Sequence, residues 1–187
     1  MPQLRSFDRV RDVAAAAIGD VNKDGIDEVV VSSGFYGGLT VLDLATLDVR
    51  WTAPNVQGSD LLLTQLDADP ALEIVVAGVP GVILDGATGA TDWVYKDGFG
   101  SYLAAYPGGG TPQFFGARAW GSMTVFQGQP YSPLWDVSVF NVVAVAAQRL
   151  TGYGKDELLE GDAPGGHANT SDSQPPRASR NTPTPPH

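Results

Sequence analysis

Cysteine is absent from this 187-residue chain, which excludes disulfides and thiolate metal sites and leaves the redox compartment open. Basic residues are scarce: eleven Lys and Arg face twenty-one Asp and Glu, for a net charge of −10. That balance argues against a nucleic-acid or anionic-membrane partner, both of which call for a basic face. Long apolar runs are missing too. The longest, 13–18 and 142–147, fall far short of the ~20 residues that cross a bilayer. Met1–Asp12 is polar and charged, without the apolar region of a signal peptide. Histidine occurs only at His167 and His187, and no carboxylate pair stands apart from the acidic loops described below. Proton transfer therefore has no obvious agent, although a lysine, arginine or tyrosine base stays open.

What the chain does have is the nonapeptide Asp20–Glu28, D-V-N-K-D-G-I-D-E. Asp20, Asn22 and Asp24 place side-chain oxygens at alternate positions, Ile26 offers a backbone carbonyl, and Glu28 closes the series with a carboxylate. Gly25 permits a turn conformation that a Cβ would resist. Calcium takes six to eight oxygens at roughly 2.3–2.6 Å, and this loop supplies most of them. A solvated Asp/Asn/Gly turn is the competing reading. An EF-hand is excluded, because Val31 stands where its twelfth-position Glu belongs and the β-branched run Val29–Val31 follows.

Repeats organise the rest. Trp51, Trp93 and Trp135 recur every 42 residues, as do Leu42-Asp43, Leu84-Asp85 and Phe126-Gln127. Alignment on Glu28 gives Glu73, Gln113 and Glu157 as the closing residues of three further loops. The second, Q-L-D-A-D-P-A-L-E, keeps Gln65, Asp67, Asp69 and Glu73 at the ligand positions with Pro70 in place of glycine, which predicts a weaker cation site. The third and fourth lack the carboxylates and are turns. The short segments before the loops, 13–18, 61–64, 102–105 and 142–147, read as strands. Their consecutive apolar positions fit a sheet covered on both faces. The divisions are a lead-in arm at 1–12, repeats near 13–56, 57–98, 99–141 and 142–160, and a proline-rich tail at 161–187 predicted to be disordered. The fourth repeat breaks off as the tail begins, which fits a truncated or frame-shifted coding sequence or a natural tail.

A calcium-type loop feeding directly into a strand, as in Asp20–Val31, resembles the FG-GAP and VCBS repeats of integrin α-subunits and bacterial surface proteins. Phe99-Gly100-Ser101 is similar to the Phe-Gly of those repeats, without the Gly-Ala-Pro partner. The segments Thr40–Thr52 and Val82–Trp93 also resemble the tryptophan-docking repeat of quinoprotein propellers: Asp85, Thr88 and Gly89 fit its turn, and Leu47 replaces the glycine in the first copy. Both resemblances imply an all-β fold, a partial β-propeller of about three and a half four-stranded antiparallel blades. The FG-GAP and VCBS resemblance implies a non-enzymatic calcium-binding module for adhesion or for protein or carbohydrate binding, within a larger surface or secreted protein; the quinoprotein resemblance speaks to blade packing. Self-association through exposed blade edges is a further expectation. The alternatives are a segment of a propeller enzyme, such as a polysaccharide lyase or quinoprotein dehydrogenase, and a product without independent function.

Overall fold

The computed structural model describes residues 12–34, 37–106, 110–119, 121–139, 142–148, 157–162 and 169–172. The described residues form an all-β structure without helices, built on antiparallel meanders. Strands β1 (Val13–Gly19), β2 (Glu28–Ser33), β3 (Leu39–Asp43) and β4 (Val49–Ala53) make the first sheet in chain order. The second sheet runs β5 (Asp60–Thr64), β6 (Glu73–Ala77), β7 (Gly81–Asp85) and β8 (Thr91–Tyr95). A third comprises β9 (Tyr102–Tyr106), β10 (Gln113–Ala117), β11 (Gly121–Gln127) and β12 (Ser132–Val139). Three strands, β13 (Val142–Gln148), β14 (Glu157–Asp162) and β15 (Asn169–Asp172), follow as a fourth sheet. The sheets do not close on themselves.

Glu28, Glu73, Gln113 and Glu157 each begin the second strand of their sheet, so the loop alignment located the repeats correctly. The alanine-rich segment at 13–18 is strand and not helix. The tail expectation needs correction: β14 runs on to Asp162, and Asn169–Asp172 pairs with it over Glu157–Glu160. This strand carries no apolar residue, because backbone hydrogen bonding alone suffices to add it to a sheet edge. The rest of the tail and the 1–11 part of the lead-in arm lie outside the described residues. So do the glycine-rich third loop at 107–109, the aromatic pair 35–36 and Trp120.

The uninterrupted apolar strands follow from stacking. Ile74 and Val76 of β6 pack with Val30, Leu39 and Val41 of the first sheet. Their neighbours Val75 and Ala77 point the other way, towards Leu103, Phe114 and Phe126 of the third. All five residues of β6 are buried as a result. The third sheet repeats the scheme, with Phe114 facing back and Phe115, Ala117 and Val125 clustering with Val142 of β13. Each such Val, Leu, Ile or Phe side chain contributes about 1.5–3 kcal/mol by leaving water. The first strands of successive sheets also lie side by side, β1 by β5, β5 by β9 and β9 by β13.

The periodic tryptophans tie one sheet to the next. Trp51 of β4 donates its indole N–H to the Gly86 carbonyl in the β7–β8 turn at 3.0 Å. Trp93 of β8 stacks on Tyr131 beyond β11, with ring centroids 5.7 Å apart and planes 9° from parallel. The turn under Trp51 has the geometry expected of Asp85-Gly86-Ala87-Thr88-Gly89. Asp85 Oδ1 accepts the Thr88 N–H at 2.8 Å, and Gly89 sits at φ +73°. Leu47 takes the same left-handed conformation, φ 65°, at the equivalent place in the first sheet.

Gly89 and Gly25 separate strain from crowding. A Cβ on Gly89 would stand 2.8 Å from Trp51, whereas one on Gly25 (φ +88°) meets nothing within 4 Å. Gly25→Ala should cost only the left-handed strain, about 1–2 kcal/mol. Gly89→Ala adds overpacking and should cost about 2–4 kcal/mol. Urea unfolding of the two variants measures the difference, and equal losses would show that Trp51 does not clamp this turn.

Candidate metal centre

Each acidic loop joins the first and second strands of its sheet, and a buried glutamate anchors it. Glu28 Oε2 accepts the Val21 N–H at 3.1 Å, and Glu73 Oε2 accepts the Leu66 N–H. Both glutamates are fully buried, as are the Val21 and Leu66 side chains. Burial pushes both carboxyls up, Glu28 above its ordinary range and Glu73 to about 7. Asp24 adds to the rise at Glu28, and Asp67 and Asp69 add to it at Glu73.

Beyond that shared anchor the loops diverge. In the first, Asp20 folds the turn over itself: its two oxygens accept the Asp24 and Gly25 N–H groups, each at 3.1 Å. Asn22 Oδ1 takes the Asp24 N–H at 2.8 Å, and Asp24 Oδ1 takes the Ile26 N–H at 2.9 Å. The Asn22 amide donates to both Asp24 Oδ2 and Glu28 Oε1, at 3.1 Å each. The side-chain oxygens of Asp20, Asn22, Asp24 and Glu28 are therefore all engaged within the loop.

In the second loop the residue matching Asn22 is Asp67, and no amide reaches the buried glutamate. Gln65 donates instead to the carbonyls of Asp67 at 3.2 Å and Asp69 at 2.6 Å. Glu73 Oε1 is buried without a hydrogen-bond partner. Asp67, Asp69 and Glu73 bring one oxygen each within 4.8 Å of one another, the one such acidic group among the described residues. The sequence ranked this loop second on account of Pro70, yet its carboxylates converge.

A residue that the sequence reading passed over completes each site. In all three four-stranded sheets the register of the last strand pair shifts beside the tryptophan. Val41 pairs with Trp51 and Leu42 with Val49, Ile83 with Trp93 and Leu84 with Thr91, Val125 with Trp135 and Phe126 with Pro133. The extra residues are Arg50, Asp92 and Leu134. A bulge of this kind re-aims a side chain out of the pleat. Arg50 Nη2 thereby lies 2.7 Å from Asp43 Oδ2 and 3.6 Å from Asp24 Oδ2. Its positive charge also favours ionised Glu28.

Asp92 brings the opposite charge to the second loop. The residue is exposed, but its carboxyl is pushed up to about 6, first by desolvation and then by the charges of Asp85, Asp67 and Asp69. Tyr131, from the turn before β12, completes the surroundings. Its hydroxyl is buried without a hydrogen-bond partner, and its pKa is raised by burial and by Asp92, Glu73, Asp67 and Asp69. The 42-residue period, which puts Arg50 and Asp92 in phase just before Trp51 and Trp93, was the available signal for this pair.

The donor set of the second loop, three converging carboxylates with one buried oxygen unpartnered, suits a hard divalent cation. No protein-family model matches the chain, and a search of curated proteins gives no match.

Glu73 generates a pH dependence of defined sign. An unfolded glutamate titrates near 4.3, and the folded group near 7, so the folded chain binds more protons between these values. In buffer free of divalent cations, stability should therefore fall as pH rises from about 4.5 to about 7. Asp92 and Glu28 act in the same direction at lower pH, so Glu73→Gln should flatten the slope chiefly between about pH 6 and 7 and be the more stable chain at pH 8 in chelator. Urea unfolding at pH 5 and 8 tests this, and parallel behaviour of the two proteins would contradict it.

Proposed function

We propose that this chain is a non-enzymatic repeat module of the FG-GAP and VCBS β-propeller type, whose acidic loops bind calcium as a structural ion. The supporting observation is the convergence of Asp67, Asp69 and Glu73 in a loop between first and second strands, with Glu73 Oε1 unpartnered. Stacked four-stranded meanders with adjacent first strands fit blades arranged about an axis. Under this reading the first loop contributes Asp20, Asn22, Asp24, the Ile26 carbonyl and Glu28, and the second Gln65, Asp67, Asp69 and Glu73. The module serves adhesion, or protein or carbohydrate binding, in a larger surface or secreted protein.

Calcium removes carboxylate repulsion in a loop that also holds neighbouring sheets together. Extracellular modules bind calcium at roughly 0.1–1 mM, and a tenfold excess over such a dissociation constant stabilises the fold by about 1.4 kcal/mol. Calcium should accordingly raise the melting temperature, and chelation should reverse the rise. Folded protein whose melting temperature ignores millimolar calcium, with no heat of binding by titration calorimetry, would overturn the assignment.

A further inference from the structure

We infer that the bulge residue before the tryptophan of the fourth strand decides which acidic loop takes a cation, so that the second loop, and not the first, holds the tightly bound divalent ion. The inference rests on the calcium reading above and orders its two loops. In the first repeat the protein supplies its own hydrogen-bond donors, one of them cationic. Arg50 sits between Asp24 and Asp43, and the Asn22 amide lies between Asp24 and Glu28. Arg50 and Asn22 also line the small cavity beside Glu28 and Trp51, about 170 Å³ in volume. An entering ion would have to displace the amide and approach the guanidinium.

The second repeat inverts both substitutions. Asp67 replaces Asn22, so Glu73 Oε1 has no donor, and Asp92 replaces Arg50. Asp67, Asp69 and Glu73 then converge in one loop, the charges of Asp67, Asp69 and Asp85 act on Asp92, and among the described residues no ion pair reaches any of these five. A buried carboxylate that has one oxygen unpartnered and two aspartates beside it is costly. A divalent cation answers both the missing partner and the missing charge. Gln65 already holds the Asp67 and Asp69 carbonyls, which fixes the loop around that position.

Calcium titration calorimetry on the full chain and on Asp24→Ala, Asp69→Ala, Arg50→Gln and Asp92→Asn, each checked for a native melting transition, tests the ordering. The wild type should bind one calcium tightly. Asp69→Ala should weaken that site about tenfold or more, and Asp24→Ala should leave it within about twofold. Exposed Asp92 can lose its charge with little risk to folding, and Asp92→Asn should weaken binding by several-fold. Arg50→Gln should add a second, weaker equivalent at the first loop. Uptake that follows Asp24 and ignores Asp69, or an Arg50→Gln chain with unchanged stoichiometry, overturns this ordering while leaving the calcium reading intact. A folded wild type that takes up no calcium at millimolar concentration overturns both.

Discussion

The structure depends on a fully buried carboxylate that accepts a backbone N–H seven residues earlier in the chain. Glu28 holds Val21 in this way and Glu73 holds Leu66. The carbonyl of each held residue then serves the next sheet: that of Val21 accepts the Leu72 N–H at 2.9 Å, and that of Leu66 accepts the Gln129 N–H at 2.8 Å. Val21 and Leu66 also enter the apolar layers between sheets. In each of the first two repeats one glutamate thus fixes loop shape and intersheet register together. Withdrawing it would free a buried N–H and loosen a core side chain at once.

Burying a carboxylate creates a debt of charge and hydrogen bonding that the two repeats settle differently. The first repeat uses an amide and a guanidinium, both its own. The second leaves one glutamate oxygen open and surrounds it with further acids. Surface ion pairs such as Arg50–Asp24 add little stability by themselves, so the effect of Arg50 is better seen in what it keeps out of the loop than in what it adds to the fold. Repetition makes the contrast interpretable: strand order, bulge and tryptophan recur, and the charge at the Asn22/Asp67 and Arg50/Asp92 positions changes.

Much of this was legible in the sequence, for identifiable reasons. Glu28 and Glu73 mark strand starts because a loop-closing carboxylate faces inward to hold the turn, and Gln113 and Glu157 begin strands at the equivalent place. Trp51 and Trp93 kept their period because each covers a turn of the following sheet. Leu47 was recognised in a glycine place, and it does adopt the left-handed conformation found at Gly89. Three features were hidden. Asp92 and Arg50 read as ordinary alternating strand residues, since a bulge is a property of pairing register and leaves no local composition signal. The convergence of Asp67, Asp69 and Glu73 was not visible, because Gly25 and Pro70 speak to turn conformation, whereas the contacts that distinguish the loops come from Asn22, Asp67 and the bulge. Strand β15 could not be seen either, because Asn169–Asp172 contains nothing apolar for a pattern to register.

The calcium proposal requires the second loop to close around a divalent cation. Anomalous scattering from crystals grown in calcium, or in manganese as a stronger scatterer, tests it most directly. The account predicts a peak bonded to oxygens of Asp67, Asp69 and Glu73, at roughly 2.3–2.6 Å for calcium. Density for a water alone against Glu73 Oε1, with no anomalous signal in a well-ordered loop, would contradict it.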